Sequence, residues 1–219
     1  IKVNIKGRKS KKNVLFVSNH VSYLDIFVLG SSVNGLFVAK SEIESWPIIN
    51  KLCKLGRTIF VNRNDIIRVK GQMNRITNIL KSGYSVILFP EGTSSDGSKV
   101  LPFKSSLLGV VEDKGPQEFY IQPLSISYSK LDGIPLEIKF RPFFAWFGNM
   151  DLISHVWKFL GLGFSEVNVN FHEPKKFSDF KDRKHAAKYC HDVISSQISF
   201  DFQNLEVEKK IRLYEFMLL

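Results

Sequence analysis

A histidine and an aspartate five residues apart, His20 and Asp25 in the stretch Ser18-Asn-His-Val-Ser-Tyr-Leu-Asp25, follow directly on the apolar run Val14-Leu-Phe-Val17. On a continuous strand an odd separation sends the two side chains to opposite faces. On a continuous helix five residues is about 500° of rotation, and they diverge again. They meet only if the chain turns between them. Two readings of that turn stand side by side. In one, Ser22-Tyr-Leu-Asp25 is a capping box with Asp25 in place of the usual Glu or Gln, and His20 is a satisfied polar residue. In the other, the Asp25 carboxylate accepts from one imidazole nitrogen, fixes the tautomer, and leaves the second nitrogen to take a proton. No Gly-x-Ser-x-Gly elbow accompanies the pair, so there is no such serine for the base to activate. A base of that kind serves a nucleophile carried by the substrate, for instance an alcohol.

Three further groupings have the composition of a site. Leu88-Phe-Pro-Glu91-Gly92-Thr93-Ser94-Ser-Asp-Gly97 follows a β-branched run. Its Pro90 ends a strand, its Gly92 permits close backbone approach, and the amides and hydroxyls around Thr93 suit oxygen ligands. An ordinary Gly-Ser loop explains residues 95–98 equally well but gives no reason for Glu91. Gly56-Arg-Thr-Ile-Phe-Val-Asn-Arg63 reads as a strand ending in a guanidinium, which suits bidentate binding of a phosphate; a solvent-facing arginine is the plain alternative. Tyr120-Ile-Gln-Pro123-Leu-Ser-Ile126 is a strand with an internal proline, which implies an edge, a bulge or the wall of a site.

The elements that must position these residues are short strands interleaved with helical patterns. Strands are expected at residues 14–18, 36–39, 58–61, 85–89, 119–127, 136–140 and 167–171. Residues 65–81 carry Ile66, Val69, Met73, Ile76 and Leu80 near a 3.6 period, with Asp65 as N-cap and Gly83 as stop. Residues 151–160 and 182–199 read as further helices. The pattern is that of a single α/β domain with a mixed, largely parallel sheet, and ligands gather at the carboxyl ends of such strands. No repeat or low-complexity linker divides it, and residues 201–219 read as a C-terminal tail.

With 219 residues and 44% hydrophobic content the chain can bury a sizeable core. Its 31 basic against 21 acidic residues give +10 and a pI near 9.5, favouring an anionic partner. The first twelve residues hold six Lys/Arg and no acid, either a solvated edge or a contact for acidic lipid. Absence of RNP, KH and zinc-finger patterns argues against nucleic acid. Cys53 and Cys190 have no metal or redox spacing, which points to a reducing, cytosolic setting. No HExxH occurs, and no apolar run approaches the ~18 residues of a membrane span. An anchor preceding Ile1 would not be seen.

His20-x4-Asp25, the 56–63 block, Phe89-Pro-Glu-Gly-Thr93 and Ile121-x-Pro-Leu-Ser125 stand in the order of the four motifs of glycerolipid acyltransferases. Over roughly residues 3 to 196 the chain resembles the bacterial 1-acylglycerol-3-phosphate acyltransferase family and its relatives acting on other lysolipids. The resemblance implies an acyltransferase domain over residues 1–200 that moves a fatty acyl chain from acyl-CoA or acyl carrier protein to a lysolipid hydroxyl. It implies 1-acylglycerol-3-phosphate as acceptor, giving phosphatidate, with lyso-ornithine lipid or another lysophospholipid as the alternative. A non-catalytic lipid-binding member is the reading from a different class. By resemblance His20 is the general base and Asp25 its orienter. Glu91, Gly92 and Thr93 position the acceptor, and Arg63, assisted by Lys104, holds an anionic headgroup. No metal or bound cofactor is implied, the thioester being a co-substrate. The expected location is the cytoplasmic face of the bacterial inner membrane, peripheral or anchored by an upstream segment. One departure bears on the acceptor. Many phosphatidate-forming members carry arginine after Glu-Gly-Thr, where this chain has Ser94; its Thr-Ser-Ser-Asp-Gly version looks closer to members that include lyso-ornithine-lipid acyltransferases. The aromatic region from Phe143, Phe144, Trp146 and Phe147 to Trp157, Phe159, Leu162 and Phe164 is expected to be mostly core, with some members at a bilayer interface.

Overall fold

The computed structural model describes residues 1–10, 13–41, 58–61, 66–112 and 118–217. Arg63, the Asp65 cap, Lys11, Lys12 and Cys53 lie outside them. In chain order the elements are β1 (Lys2–Lys6), β2 (Val14–Ser18), α1 (Leu24–Ser32), β3 (Gly35–Lys40), β4 (Ile59–Val61), α2 (Ile66–Lys81) and β5 (Ser85–Leu88). Then come β6 (Tyr120–Leu131), β7 (Ile134–Pro135), α3 (Leu152–Leu160), β8 (Ser165–Phe171), β9 (Lys175–Lys176) and α4 (Arg183–Met217). The strands form one sheet in the order β1-β8-β6-β2-β5-β3-β4, with β7 and β9 beside β6. Strands β6, β2, β5, β3 and β4 run parallel. β8 returns antiparallel to β6 and takes β1 parallel to itself.

The run Val14–Ser18 is apolar without alternation because both faces of β2 are covered. Val14 and Phe16 pack with Leu24, Val28 and Leu29 of α1 and with Phe144. Leu15 and Val17 face the other way, onto Ile76 and Leu80 of α2 and Ala186, Cys190, Ile194 and Ile198 of α4. Helix α2 stops where expected: Gly83, at φ +89, lets the Gly83 and Tyr84 amides close on Leu80 and Ile79. Strands β2 and β5 are neighbours in register, Val17 opposite Leu88, so the segments that leave their carboxyl ends emerge side by side.

Two expectations are corrected. Residues 136–140 do not form a strand: β7 ends at Pro135, and Ile138–Phe143 is a 3-10 helix containing Pro142. The helix expected to end at 199 runs to Met217, so most of the segment read as a tail is helical. Its core-facing stripe continues through Asp201 and Leu205, and Asp201 hid that continuation by being polar. Ser127 Oγ at 2.6 Å, Gln197 Nε2 at 2.8 Å and Asn170 Nδ2 at 3.4 Å satisfy its buried carboxylate. The basic start of the chain is in part a paired strand: β1 lies on β8, with Lys2 Nζ 3.4 Å from Glu166. Pro123 lies in an interior strand, where β6 pairing passes from β9, ending at Ile121, to β8, beginning at Leu124. The register shift in β6 falls instead between Tyr128 and Lys130.

Candidate active site

Strand β2 ends at Ser18, and Asn19 continues its ladder with a side chain. The Asn19 amide donates to Ile126 O at 3.0 Å and accepts from Ile126 N at 2.9 Å. This closes backbone valences on β6 that the end of β2 would leave open. The chain then turns, and α1 begins at Leu24 with Asp25 in its first turn. The turn brings the pair together: His20 Nδ1 is 2.9 Å from Asp25 Oδ2. The same oxygen accepts the amides of Val21 at 2.7 Å and Ser22 at 3.0 Å. Leu24 N lies 3.4 Å from Ser22 Oγ. One carboxylate therefore ties back the turn and orients the imidazole, while Tyr23, at the N-cap of α1, makes no side-chain cap bond.

Asp25 is fully buried and the His20 side chain is 21% exposed. The carboxylate points inward and the imidazole reaches the surface. Nδ1 donates to Asp25, leaving Nε2 unprotonated in the neutral ring. The imidazole stacks on Phe89, centroids 4.2 Å apart and planes 20° off parallel, and Phe89 lies parallel to Phe37 behind it. Tyr128 OH donates to the second oxygen, Asp25 Oδ1, at 2.9 Å. Burial, then the Asp25 charge, push the Tyr128 phenol well above its usual range.

The segment after β5 grips His20 by its main chain. Glu91 Oε1 accepts His20 N at 2.7 Å, Oε2 accepts Leu101 N at 2.9 Å, and Ser95 N donates to His20 O at 2.9 Å. Glu91 is thus a buried tie between the two motif segments. Burial pushes its carboxyl up to about 7, against the pull of its two backbone bonds and of His20, with Asp25 adding to the rise. Gly92 makes its turn at φ +75, a conformation a side chain would strain. Thr93 and Lys104 are exposed, and Lys104 N bonds Pro90 O at 2.9 Å. Ser94 Oγ donates to Trp146 O, and Trp146 N to Val21 O. The hydroxyl at this position is therefore engaged in fixing the segment that leads to α3.

The structure brings His20, Asp25, Glu91 and Gly92 together at the ends of β2 and β5. Arg63 is not among the described residues. Reading the sequence missed Tyr128, Phe89 as the ring under His20, and Tyr23. Tyr23 OH meets His155 Nδ1 at 3.1 Å, and His155 Nε2 meets Pro142 O at 3.2 Å. Burial raises Tyr23 to about 12 and lowers His155. A buried tyrosine seeks a polar partner, which was the available signal, but its partners are 103 and 132 residues away in sequence.

A mainly parallel sheet flanked by helices thus carries an imidazole–carboxylate pair at its strand ends, with no protein group bonded to Nε2 among the described residues. Comparison with known proteins gives the family. The profile of the acyltransferase family matches residues 1–127. The chain belongs to that family and is an acyltransferase. It is 37% identical over 204 residues to the lyso-ornithine lipid O-acyltransferase of Rhizobium meliloti, covering 91% of this chain and 70% of that protein. It is 31% identical over 158 residues to the 1-acyl-sn-glycerol-3-phosphate acyltransferase of Neisseria gonorrhoeae, covering 72% and 58%. The crystal structure of the 1-acyl-sn-glycerophosphate acyltransferase PlsC from Thermotoga maritima superposes with a TM-score of 0.62 at 25% identity, over 90% of this chain and 71% of that one.

Proposed function

We propose that this protein transfers a fatty acyl group from a thioester, acyl-CoA or acyl carrier protein, to the hydroxyl of a lysolipid, with His20 as general base. The observation that carries the reading is the His20–Asp25 bond of 2.9 Å, with Asp25 buried and the His20 side chain 21% exposed. Nε2 takes the acceptor's hydroxyl proton as that oxygen attacks the thioester carbonyl. Asp25 stabilises the imidazolium. The tetrahedral centre collapses with cleavage of the carbon–sulfur bond, and the imidazolium returns the proton to the departing thiolate. Ester and free thiol result, with no acyl-enzyme. A thioester is already activated, so base and positioning suffice, and neither metal nor bound cofactor is invoked.

Glu91 and Gly92 position the acceptor through the main chain they shape. Thr93 and Lys104 contact it directly, and Arg63 takes its anionic group. The acceptor we favour is a lyso-ornithine lipid. Ser94 supplies no cation where phosphatidate-forming members carry arginine, its hydroxyl is engaged by Trp146, and the Rhizobium relative bears that activity in its name. Lysophosphatidate is the second reading, favoured by the Neisseria and Thermotoga relatives.

The enzyme works at a membrane surface, which we place at the cytoplasmic face of a bacterial inner membrane. No helix among the described residues is long and apolar enough to cross a membrane. Helix α3 instead turns Ile153, Trp157 and Leu160 outward, 60%, 71% and 65% exposed at helical spacing. Its buried side holds Tyr23, inside the His20–Asp25 turn.

The test is a panel of lyso-ornithine lipid, lysophosphatidate and other lysophospholipids, each with acyl-CoA and acyl carrier protein, with the product identified by mass spectrometry. An ester should form from at least one pair and fall about 10²–10⁴-fold in His20→Ala. A folded His20→Ala protein with the parent's turnover overturns the mechanism.

A further inference from the structure

Strand β6 runs past the end of β2, where Ser18 lies opposite Leu124, and four residues further along it carries Tyr128. The ring is 6% exposed and stacks on Phe144, centroids 5.3 Å apart and planes 26° off parallel. Packing alone would be served as well by phenylalanine. The hydroxyl, however, donates at 2.9 Å to Asp25 Oδ1, the oxygen that His20, Val21 and Ser22 leave untouched. We propose that Tyr128 is a positioning residue for the acyl transfer: its hydroxyl pins the second oxygen of Asp25 and draws off part of its charge, setting how tightly His20 holds the proton it takes.

This inference rests on His20 being the base. The imidazolium must form readily and then yield its proton to the thiolate. A fully buried carboxylate bonded only to His20 and two amides would bind the imidazolium more tightly than one that also accepts from a phenol. A buried phenol donor weakens that pull without removing the charge. Other ionisable groups close by are Tyr23 on the same turn, Glu91 and Asp96 from the segment after β5, and Arg141 from the 3-10 helix. Asp96, Arg141 and Tyr128 line a water-sized cavity of about 20 Å³ with Phe202 of α4. His155 of α3 acts through Tyr23, and Glu206 of α4 through Arg141. Among the described residues only Tyr128 bonds Asp25 Oδ1.

The experiment is Tyr128→Phe, read by turnover against pH and by ¹⁵N-histidine NMR. His20 is assigned among the five histidines as the signal missing from His20→Ala. The His20 midpoint should rise by about half to one unit, with the lower limb of the kcat/KM profile following it, and kcat should fall roughly 3- to 10-fold at unchanged lysolipid KM. Phe144→Leu, which loosens the same ring but keeps the hydroxyl, should lower stability without moving the midpoint. An unmoved midpoint in folded Tyr128→Phe overturns the proposal. A moved midpoint with unaltered turnover shows that Tyr128 tunes His20 but that His20 is not the base, which overturns the mechanism above and the role in transfer with it. Should Tyr128→Phe not fold, 3-fluorotyrosine labelling of the parent strengthens the phenol as a donor and should move the midpoint down; no movement again overturns the proposal.

Discussion

Replacing Asp25 by asparagine isolates charge from geometry at this site. Asp25 Oδ2 accepts two backbone amides besides His20 Nδ1, so an amide group turned that way would set donor against donor. The asparagine oxygen must occupy the Oδ2 position, with its NH₂ toward Tyr128, whose hydroxyl rotates to accept. Nδ1–H keeps an acceptor and the tautomer survives. What is lost is a full negative charge beside the imidazolium. Two unit charges about 4 Å apart interact by about 4 kcal/mol at an effective dielectric of 20. Because Asp25 is fully buried, little of that is screened away. At 1.36 kcal/mol per decade the chemical step should slow roughly 10³-fold, while lysolipid KM stays within about threefold. The assay is thiol release from acyl-CoA under saturating lysolipid, with ester formation confirmed by mass spectrometry and folding by circular dichroism. A folded variant within about tenfold of the parent kcat would show that the charge does not act on the imidazolium, and the reasoning would fail.

Two further outcomes follow from the same geometry. Glu91, held up at about 7 against an ordinary 4.5, keeps its proton to higher pH in the fold than in the unfolded chain, so its stabilising contribution is full below about 4.5 and is lost as pH rises through 7. Chemical denaturation of parent and Glu91→Gln should give a stability difference that moves against the parent by about 3 kcal/mol between pH 4.5 and pH 8, and a flat or opposite trend refutes it. Trp157→Ser with Leu160→Ser should weaken binding to anionic vesicles at least about tenfold in a sedimentation assay, from the apolar area withdrawn; equal binding by variant and parent would move the lipid contact off α3.

Much of the sheet was legible because its strands are buried on both faces and read as unbroken β-branched runs. Val14–Ser18 was found at its bounds, and α2 was found through its 3.6 period and Gly83. What failed to show was whatever depends on a distant partner. Asp201 looked like the end of a helix because its acceptors' partners, Ser127 and Asn170, lie on strands far back in the chain. Nothing in the local sequence marks Arg141 as buried, yet it is 9% exposed, stacked 3.6 Å over Phe202 and lowered by burial. The aromatic region, expected to be mostly core, is less buried than that, with Phe143 38% exposed. Phe144 is buried, Phe147, Phe159 and Leu162 pack against the core, and Trp157 and Phe164 stand exposed. Which ring fell where was set by the path of α3, and local pattern does not encode that path.

The two sequence readings of His20 to Asp25 were posed as rivals, yet one oxygen, Asp25 Oδ2, accepts from His20 Nδ1 and from the turn amides of Val21 and Ser22, with Tyr23 rather than Ser22 at the N-cap of α1. That economy has a physical reason. A carboxylate in the first turn of a helix is favoured by the free amides there. Those amides hold it in place when it is buried, which an orienting carboxylate also requires. The turn needed to bring His20 onto Asp25 is the turn that starts α1, so building the turn builds the pair. The segment after β5 then holds the imidazole's own peptide through Glu91 and Ser95, and Phe89 lies beneath the ring. Only the outer nitrogen is left for a substrate, and it opens at the end of the sheet where two parallel strands deliver both motifs.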